Sequence, residues 1–343
     1  MRILYFISIL SLSCSSLNAQ TLGGAATYNF LKLPSTPLQS ALGGNNVSYQ
    51  SDDIGLSLFN PALLNSSLHS RTGVSFNAFF AGVKAWNLAG GYYKENWGTT
   101  FGASLFYVDY GNIDQTDAGG NIQGSFRPRD YVLQMAASRQ YLEKWHYGLT
   151  VKYIYSDLGA YQSSALAFDA GLLYVDSTRL LSLGLVAKNM GGQLKTYNGE
   201  QEELPFDLQI GITKRLEKAP LGFSLTWQQA HLFEIGANDS TFNEPGSTVL
   251  SPNFFNKASD HLILATHFYI GEHLEANLGY NRLRRKELNI GNTGNGLNGF
   301  SAGFSVNLNK IQFQYARSYY QRNAAYNQIA VNAYLNKLFN WLE

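Results

Sequence analysis

The stretch Trp145-His146-Tyr147-Gly148-Leu149-Thr150-Val151-Lys152-Tyr153-Ile154-Tyr155-Ser156 decides how this chain is read. Successive side chains of a strand point to opposite faces. One face therefore carries Trp145, Tyr147, Leu149, Val151, Tyr153 and Tyr155, and the other His146, Gly148, Thr150, Lys152, Ile154 and Ser156. Working outward, segments of about ten residues with the same alternation recur, as expected for strands with one face in lipid and the other in a wet lumen. They are expected at 71–80, 83–94, 98–110, 130–140, 145–156, 161–175, 180–189, 205–216, 221–229, 260–270, 273–282, 298–307, 310–320 and 325–337.

The connections between these fourteen segments alternate. After a short first hairpin, one set (111–129, 157–160, 190–204, 230–259, 283–297, 321–324) includes long stretches, while the other (95–97, 141–144, 176–179, 217–220, 271–272, 308–309) is uniformly brief. An even-stranded outer-membrane barrel produces this parity, with long outer loops and tight periplasmic turns, and a soluble sandwich has no reason to. The expected fold is an all-β, 14-stranded antiparallel transmembrane barrel. Leu221, Phe223, Leu225 and Trp227 should face lipid, with Phe300, Ala302, Phe304 and Val306. Lys152, Asp169, Lys188 and Asp207 take the inward register, where charge avoids hydrocarbon.

Composition agrees. Charged residues are 14% of the chain, against about 25% in ordinary globular domains. The net charge of +1 lacks the basic excess of a nucleic-acid binder. Twenty-two Tyr and 21 Phe suit two aromatic girdles. Arg2, the apolar run 3–12 and the small residues to Ala19 read as a secretory signal peptide, residues 1–19. Cys14, the one cysteine, falls within it; a lipoprotein reading is weakened by Ser11, where an aliphatic is wanted. The expected division is 1–19 leader, 20–70 N-terminal plug and 71–343 barrel, since a 14-stranded lumen is too wide for wall side chains alone to fill.

Motifs for chemistry are weak. Gly294-Asn295-Gly296-Leu297-Asn298-Gly299 fits the dinucleotide pattern but precedes an alternating strand rather than a helix, so no nucleotide cofactor is expected. His69, His146, His231, His261, His267 and His273 lack a metal-ligand spacing. His261 and His267 share a strand face without a completing carboxylate or cysteine, and a triad of His146 with Ser156 or Asp169 would need cross-strand contacts. No enzyme, metal or cofactor is expected. Arg282, Arg284, Arg285 and Lys286 form the densest charge cluster, at an outer strand end suited to lipopolysaccharide phosphates or a protein partner. Phe254 and Phe255, in the longest loop, should fold over the mouth or dock.

Phe30-Leu31-Lys32-Leu33-Pro34, Ala41-Leu42-Gly43-Gly44-Asn45-Asn46 and Asn60-Pro61-Ala62-Leu63 resemble the opening of the PorV/PorQ family of type IX secretion barrels, relatives of the FadL fold. Tyr110-Gly111, Leu194-Lys195-Thr196-Tyr197, Leu204-Pro205-Phe206 and 280–288 extend the likeness on its PorQ side over nearly the whole mature chain. The C-terminus, Trp341-Leu342-Glu343, departs from the terminal aromatic of many such barrels. The resemblance implies fourteen strands and an N-terminal plug, with Asn60, Pro61 and Ala62 as the plug motif. It further implies a Gram-negative outer-membrane location and a non-enzymatic role in protein secretion. There the barrel would anchor a PorZ-type surface protein near PorU and PorV, in the complex that processes cargo and attaches it to surface lipopolysaccharide. The alternative is a FadL-like transporter of hydrophobic compounds, with a greasy pocket between plug and wall and a lateral gap at a kinked strand.

Overall fold

The computed structural model describes residues 26–233, 235, 254–288, 296–321 and 324–339. The leader 1–19, the middle of the 230–259 loop, Gly294, Asn295 and the C-terminal Trp341-Leu342-Glu343 lie outside the described residues.

Fourteen antiparallel strands close into a barrel. In chain order they are β1 (Arg71–Ala78), β2 (Lys84–Lys94), β3 (Thr99–Asp109), β6 (Arg129–Tyr141), β7 (Trp145–Asp157), β8 (Gln162–Asp176), β9 (Leu181–Lys195), β10 (Asp207–Arg215), β11 (Leu221–Trp227), β12 (Leu262–Ile270), β13 (Leu274–Asn281), β14 (Phe300–Asn307), β15 (Ile311–Gln321) and β16 (Ala324–Tyr334), with β4 (Ile113–Thr116) and β5 (Ile122–Phe126) as a separate hairpin. Each barrel strand pairs with its neighbours in sequence, and β1 seals the wall against β16 from Arg71↔Tyr334 to Ala78↔Asn327. Closure leaves no sheet edge, and the backbone groups of the wall pair with the neighbouring strands apart from local register shifts such as that between β8 and β9.

Burial is inverted relative to a soluble protein. On β11, Phe223 is 48% exposed and Ser224 4%; on β14, Phe304 is 45% exposed and Ser305 2%. Large apolar side chains cover the outer wall while hydroxyls, amides and Lys152, Asp169 and Lys188 are buried inside, the arrangement lipid demands. Among the described residues no helix is long and apolar enough to cross a membrane.

The connections at one rim, 95–98, 142–144, 177–180, 216–220, 271–273 and 308–310, are tight. Those at the other, called here the outer rim, include 110–128, 196–206, 228–261 and 282–299. The strand ends fall within two residues of expectation except in two places. β9 continues past Asn189 to Lys195, and β16 gives way to a short helix, Leu335–Phe339. The β4–β5 hairpin stands within the 110–128 connection, nearly every residue exposed.

Candidate functional site

Residues 26–70 lie against the inward-facing side of the wall. They form short helical turns, four of which are closed by a side chain at the N-cap, where free amides need an acceptor; Asn65 accepts from Ser67 N (2.9 Å) to start Ser66–Leu68. Thr36 accepts from Gln39 N (3.2 Å) to start Pro37–Ala41; Asp53 accepts from Gly55 N (2.8 Å) to start Ile54–Ser57; Asn60 accepts from Ala62 N (3.1 Å) to start Pro61–Leu63. Burial pushes the Asp53 carboxyl above its ordinary value, opposed by the Thr36 hydroxyl and the Leu56 and Gly55 amides. Pro37 and Pro61 take the first helical positions, where a missing N–H costs nothing.

The wall receives this segment at glycines. A methyl on Gly148 would sit 2.6 Å from Pro61 O, and one on Gly171 would overlap Asn60 Oδ1. The Asn60-Pro61-Ala62 motif thus rests directly on the backbones of β7 and β8, and Asn60 Nδ2 also donates to Val47 O (2.7 Å). Wall side chains bind the segment's carbonyls: Gln328 Nε2 to Pro34 O (3.0 Å), Arg71 Nε to Asp52 O (2.8 Å) and Arg284 Nη2 to Gly43 O (3.0 Å).

Towards the outer rim the lumen changes character. Tyr28 and Phe30 are buried against Ala85, Phe106, Val108, Val132, Ile154, Ala165, Ala167 and Leu204, with Leu31 and Leu33 alongside. The wall members on β2, β3, β6, β7 and β8 occupy inward positions at the outer-rim ends of their strands. Phe30 stacks on Phe106 with ring centres 6.4 Å apart. Tyr28 takes a left-handed backbone, φ 53°, which turns its hydroxyl to Ser163 Oγ. This apolar mouth, filled by two aromatic side chains, is followed further in by smaller apolar clusters of the inner segment, among them Ile54, Leu58, Leu64 and Leu68 with Ala89 and Ala136, set among polar inward side chains of the wall.

One inward step below Ile154 and Ala167 lie Lys152 and Asp169, paired at 2.6 Å with side chains 7% and 0% exposed. Lys152 Nζ also donates to Asn189 Oδ1 (2.9 Å), and Asn189 N donates to Asp169 Oδ1 (2.8 Å). Asn189 adopts φ 58°, and here the β8–β9 ladder slips, pairing Phe168 with Met190 and then Ala170 with Ala187. Such a bulge bends a strand and re-aims side chains. Lys188, on the same bulge, places its ammonium 3.0 Å from the centre of the Phe59 ring. The charges that alternation directed inward are therefore paired or capped beside the second of the two register shifts between β8 and β9, the one between Phe168 and Ala170.

A second polar set escaped the sequence reading. Ser224 Oγ lies 2.7 Å from His267 Nε2, and His267 Nδ1 lies 2.7 Å from Asn277 Oδ1 and 3.8 Å from Glu275 Oε1. These are the residue types of a hydrolytic triad. Tyr49 stacks on His267 at 4.0 Å and donates to Glu275 (2.6 Å), while Ser48 reaches Ser224 through Thr213, each step 2.8 Å. The inner segment occupies the ground a substrate would need, so the set is a tether between segment and wall. Ser224 and His267 are 43 residues apart, and no local pattern marks them. Among the described residues no group of three His, Cys, Asp or Glu side chains is placed to hold a metal.

The basic cluster directly follows the outer-rim end of β13 and folds as a short helix, Arg282–Glu287, capped by Asn281, which accepts from Arg284 N (3.0 Å). Its members diverge. Arg284 turns inward to Gly43; Lys286 and Arg282 face Asp260 at 2.7 and 3.8 Å; Arg285 donates to Gly296 O (2.9 Å). Phe254 and Phe255 begin the helix Phe254–Asp260 and stand exposed beside Phe233, 6.0 Å from Phe254.

The sequence matches no family model and no curated protein. Solved structures do share the fold. The CymD monoaromatic hydrocarbon channel superposes with a TM-score of 0.53 at 12% identity, over 88% of this chain and 96% of its own. The toluene transporter TodX of Pseudomonas putida gives 0.51 at 12% identity over the same shares.

Proposed function

We propose that this protein is an outer-membrane channel for small hydrophobic compounds, exported by its leader and inserted in the outer membrane of a Gram-negative bacterium. One observation carries the reading: just inside a polar ring of Asp130, Ser156 and Ser163, the inward positions of β3, β6, β7 and β8 form an apolar band of Phe106, Val108, Val132, Ile154, Ala165 and Ala167, where a water-filled pore would carry polar groups. Phe30 and Tyr28 occupy the space a hydrophobic solute would take and would yield it by a shift of residues 26–33. The fold shared with a monoaromatic hydrocarbon channel and a toluene transporter supports the same reading. The test is uptake of radiolabelled toluene into proteoliposomes, with glycine as polar control. The channel takes up toluene above empty vesicles, Ile154→Lys blocks it, and glycine stays outside. Glycine conduction without toluene uptake would refute the proposal.

A second reading rests on the exposed aromatic cluster of Phe233, Phe254 and Phe255 at the outer rim. Exposed aromatics on a mouth helix suit a protein partner. The sequence resemblance would make that partner a PorZ-type surface protein, with PorU and PorV nearby. Capture of such a protein by the intact barrel, lost in a Phe254→Ser, Phe255→Ser double variant, is the outcome this reading requires.

A further inference from the structure

The outer wall carries a feature that neither reading uses. On β15 the outward register runs Phe313, Tyr315, Arg317, Tyr319, so a guanidinium stands among lipid-facing side chains. Arg317 pairs across the wall with Ala302, two residues from the outer-rim end of β14, and with Asn327, which itself pairs with Ala78 at the outer-rim end of β1. At about 3.4 Å per residue it lies within reach of the interface, where a lipid-face cation costs only about 0–1 kcal/mol instead of about 2–4 at mid-bilayer.

The guanidinium is held without being neutralised. Nη1 donates to Asn327 Oδ1 (3.3 Å), the Tyr315 hydroxyl donates to the same oxygen (2.8 Å), and the Tyr319 ring lies 5.6 Å away. Among the described residues Arg317 makes no ion pair. The Tyr315 and Tyr319 hydroxyls are its other polar neighbours, and the side chain is exposed on the lipid-facing register.

Beside it the wall is hollowed. Ala302 separates Leu278 from Arg317, and Ala276 separates Phe268 from Phe304, so small side chains form the floor of a trough walled by large ones. The trough, open along its length, has a volume of about 600 Å³, is almost wholly apolar, and runs from Pro220 and Leu221 beside the tight-turn rim to Arg317 and Tyr319 towards the outer rim. Its volume falls within the roughly 300–1,000 Å³ of ligand clefts.

We propose that this trough binds an acyl chain of the phosphorylated glycolipid of the outer leaflet, with a lipid phosphate on Arg317. An apolar channel ending in an uncompensated guanidinium complements an anionic amphiphile, and Arg binds phosphate through paired, charge-assisted hydrogen bonds. The site lies on the outside of the wall and is independent of the lumen.

Native mass spectrometry of the detergent-purified barrel tests it, with lipid A, phosphatidylglycerol and phosphatidylethanolamine as probes. Wild type retains lipid A in preference to both phospholipids. Arg317→Gln lowers lipid A retention about tenfold, the effect of losing one strong contact, and Arg317→Lys restores part of it. Ala302→Phe, which fills the trough with Arg317 intact, lowers retention as well. Heat-modifiable gel migration verifies that each variant is folded. Unchanged lipid A retention in folded Arg317→Gln or Ala302→Phe overturns the site, and equal retention of phosphatidylglycerol overturns the glycolipid assignment.

Discussion

Arg284 donates to the carbonyl of Gly43 across 3.0 Å while its guanidinium lies 4.5 Å from the centre of the Tyr320 ring, so one side chain of the outer-rim helix pins the inner segment to β15. Asn281 Nδ2 reaches the same carbonyl at 3.2 Å. Arg284→Gln removes a charge-assisted bond from a part-buried acceptor. The expected loss is about 1–3 kcal/mol, read as a lower urea midpoint of the heat-modifiable folded band. Arg285→Gln, at an exposed contact, should leave the midpoint nearly unchanged.

The glycines beneath the Asn60-Pro61-Ala62 motif make a separate prediction. Gly148→Val would push a branched side chain into the Pro61 backbone, and overpacking of this kind costs about 1–3 kcal/mol. The relief available is displacement of residues 26–70, so limited proteolysis should cut there faster than in wild type. Gly90→Ala is the control, because a methyl there meets nothing closer than 3.9 Å. Equal proteolysis of both variants would show that the motif does not depend on this seat.

Why the sequence revealed the wall but not its contents follows from the range of the interactions. Lipid outside and polar groups inside impose a period of two on every strand, so Trp145–Asp157 is visible from its own residues. The β4–β5 hairpin has solvent on both faces and no period to read. β9 hid its last six residues because the Asn189 bulge and Gly191-Gly192 interrupt the alternation. The apolar mouth did leave a mark: Leu105-Phe106-Tyr107-Val108 and Tyr153-Ile154-Tyr155 are apolar on both faces, as only a strand buried on both sides should be. Arg284 gave no such mark. Its run of charges reads as a solvated rim, and its partner, Gly43, is 241 residues away.

Breaking the Lys152–Asp169 pair should be more damaging than deleting it. Asp169→Asn leaves a buried ammonium facing only neutral amide acceptors, and orphaning one member of a buried pair costs about 3–5 kcal/mol. Lys152→Met with Asp169→Leu removes both charges and should recover most of that loss. A double-mutant cycle on urea midpoints measures the difference; additive single-variant losses would mean that the two groups do not act as a pair.

Asp117, at the tip of the β4–β5 hairpin and clear of the membrane, provides a pH-dependent signature. Its carboxylate accepts from Asn121 and Gln123 side chains and from the Asn121 and Gly119 amides, each amide at 2.9 Å. These bonds, the Asn121 side chain foremost, hold its pKa down to about 2, below the ordinary carboxylate range. A depressed pKa means that the ionised form is the one the folded hairpin binds. The stabilisation is therefore complete above the unfolded value and disappears as pH falls through about 2. The Gly119 and Asn121 amide resonances should titrate together with a midpoint near 2 and show little change between pH 5 and pH 4. In Asp117→Asn the titration should vanish while the barrel resonances stay in place. A midpoint at the ordinary carboxylate value would mean that the loop is not closed around Asp117 in solution.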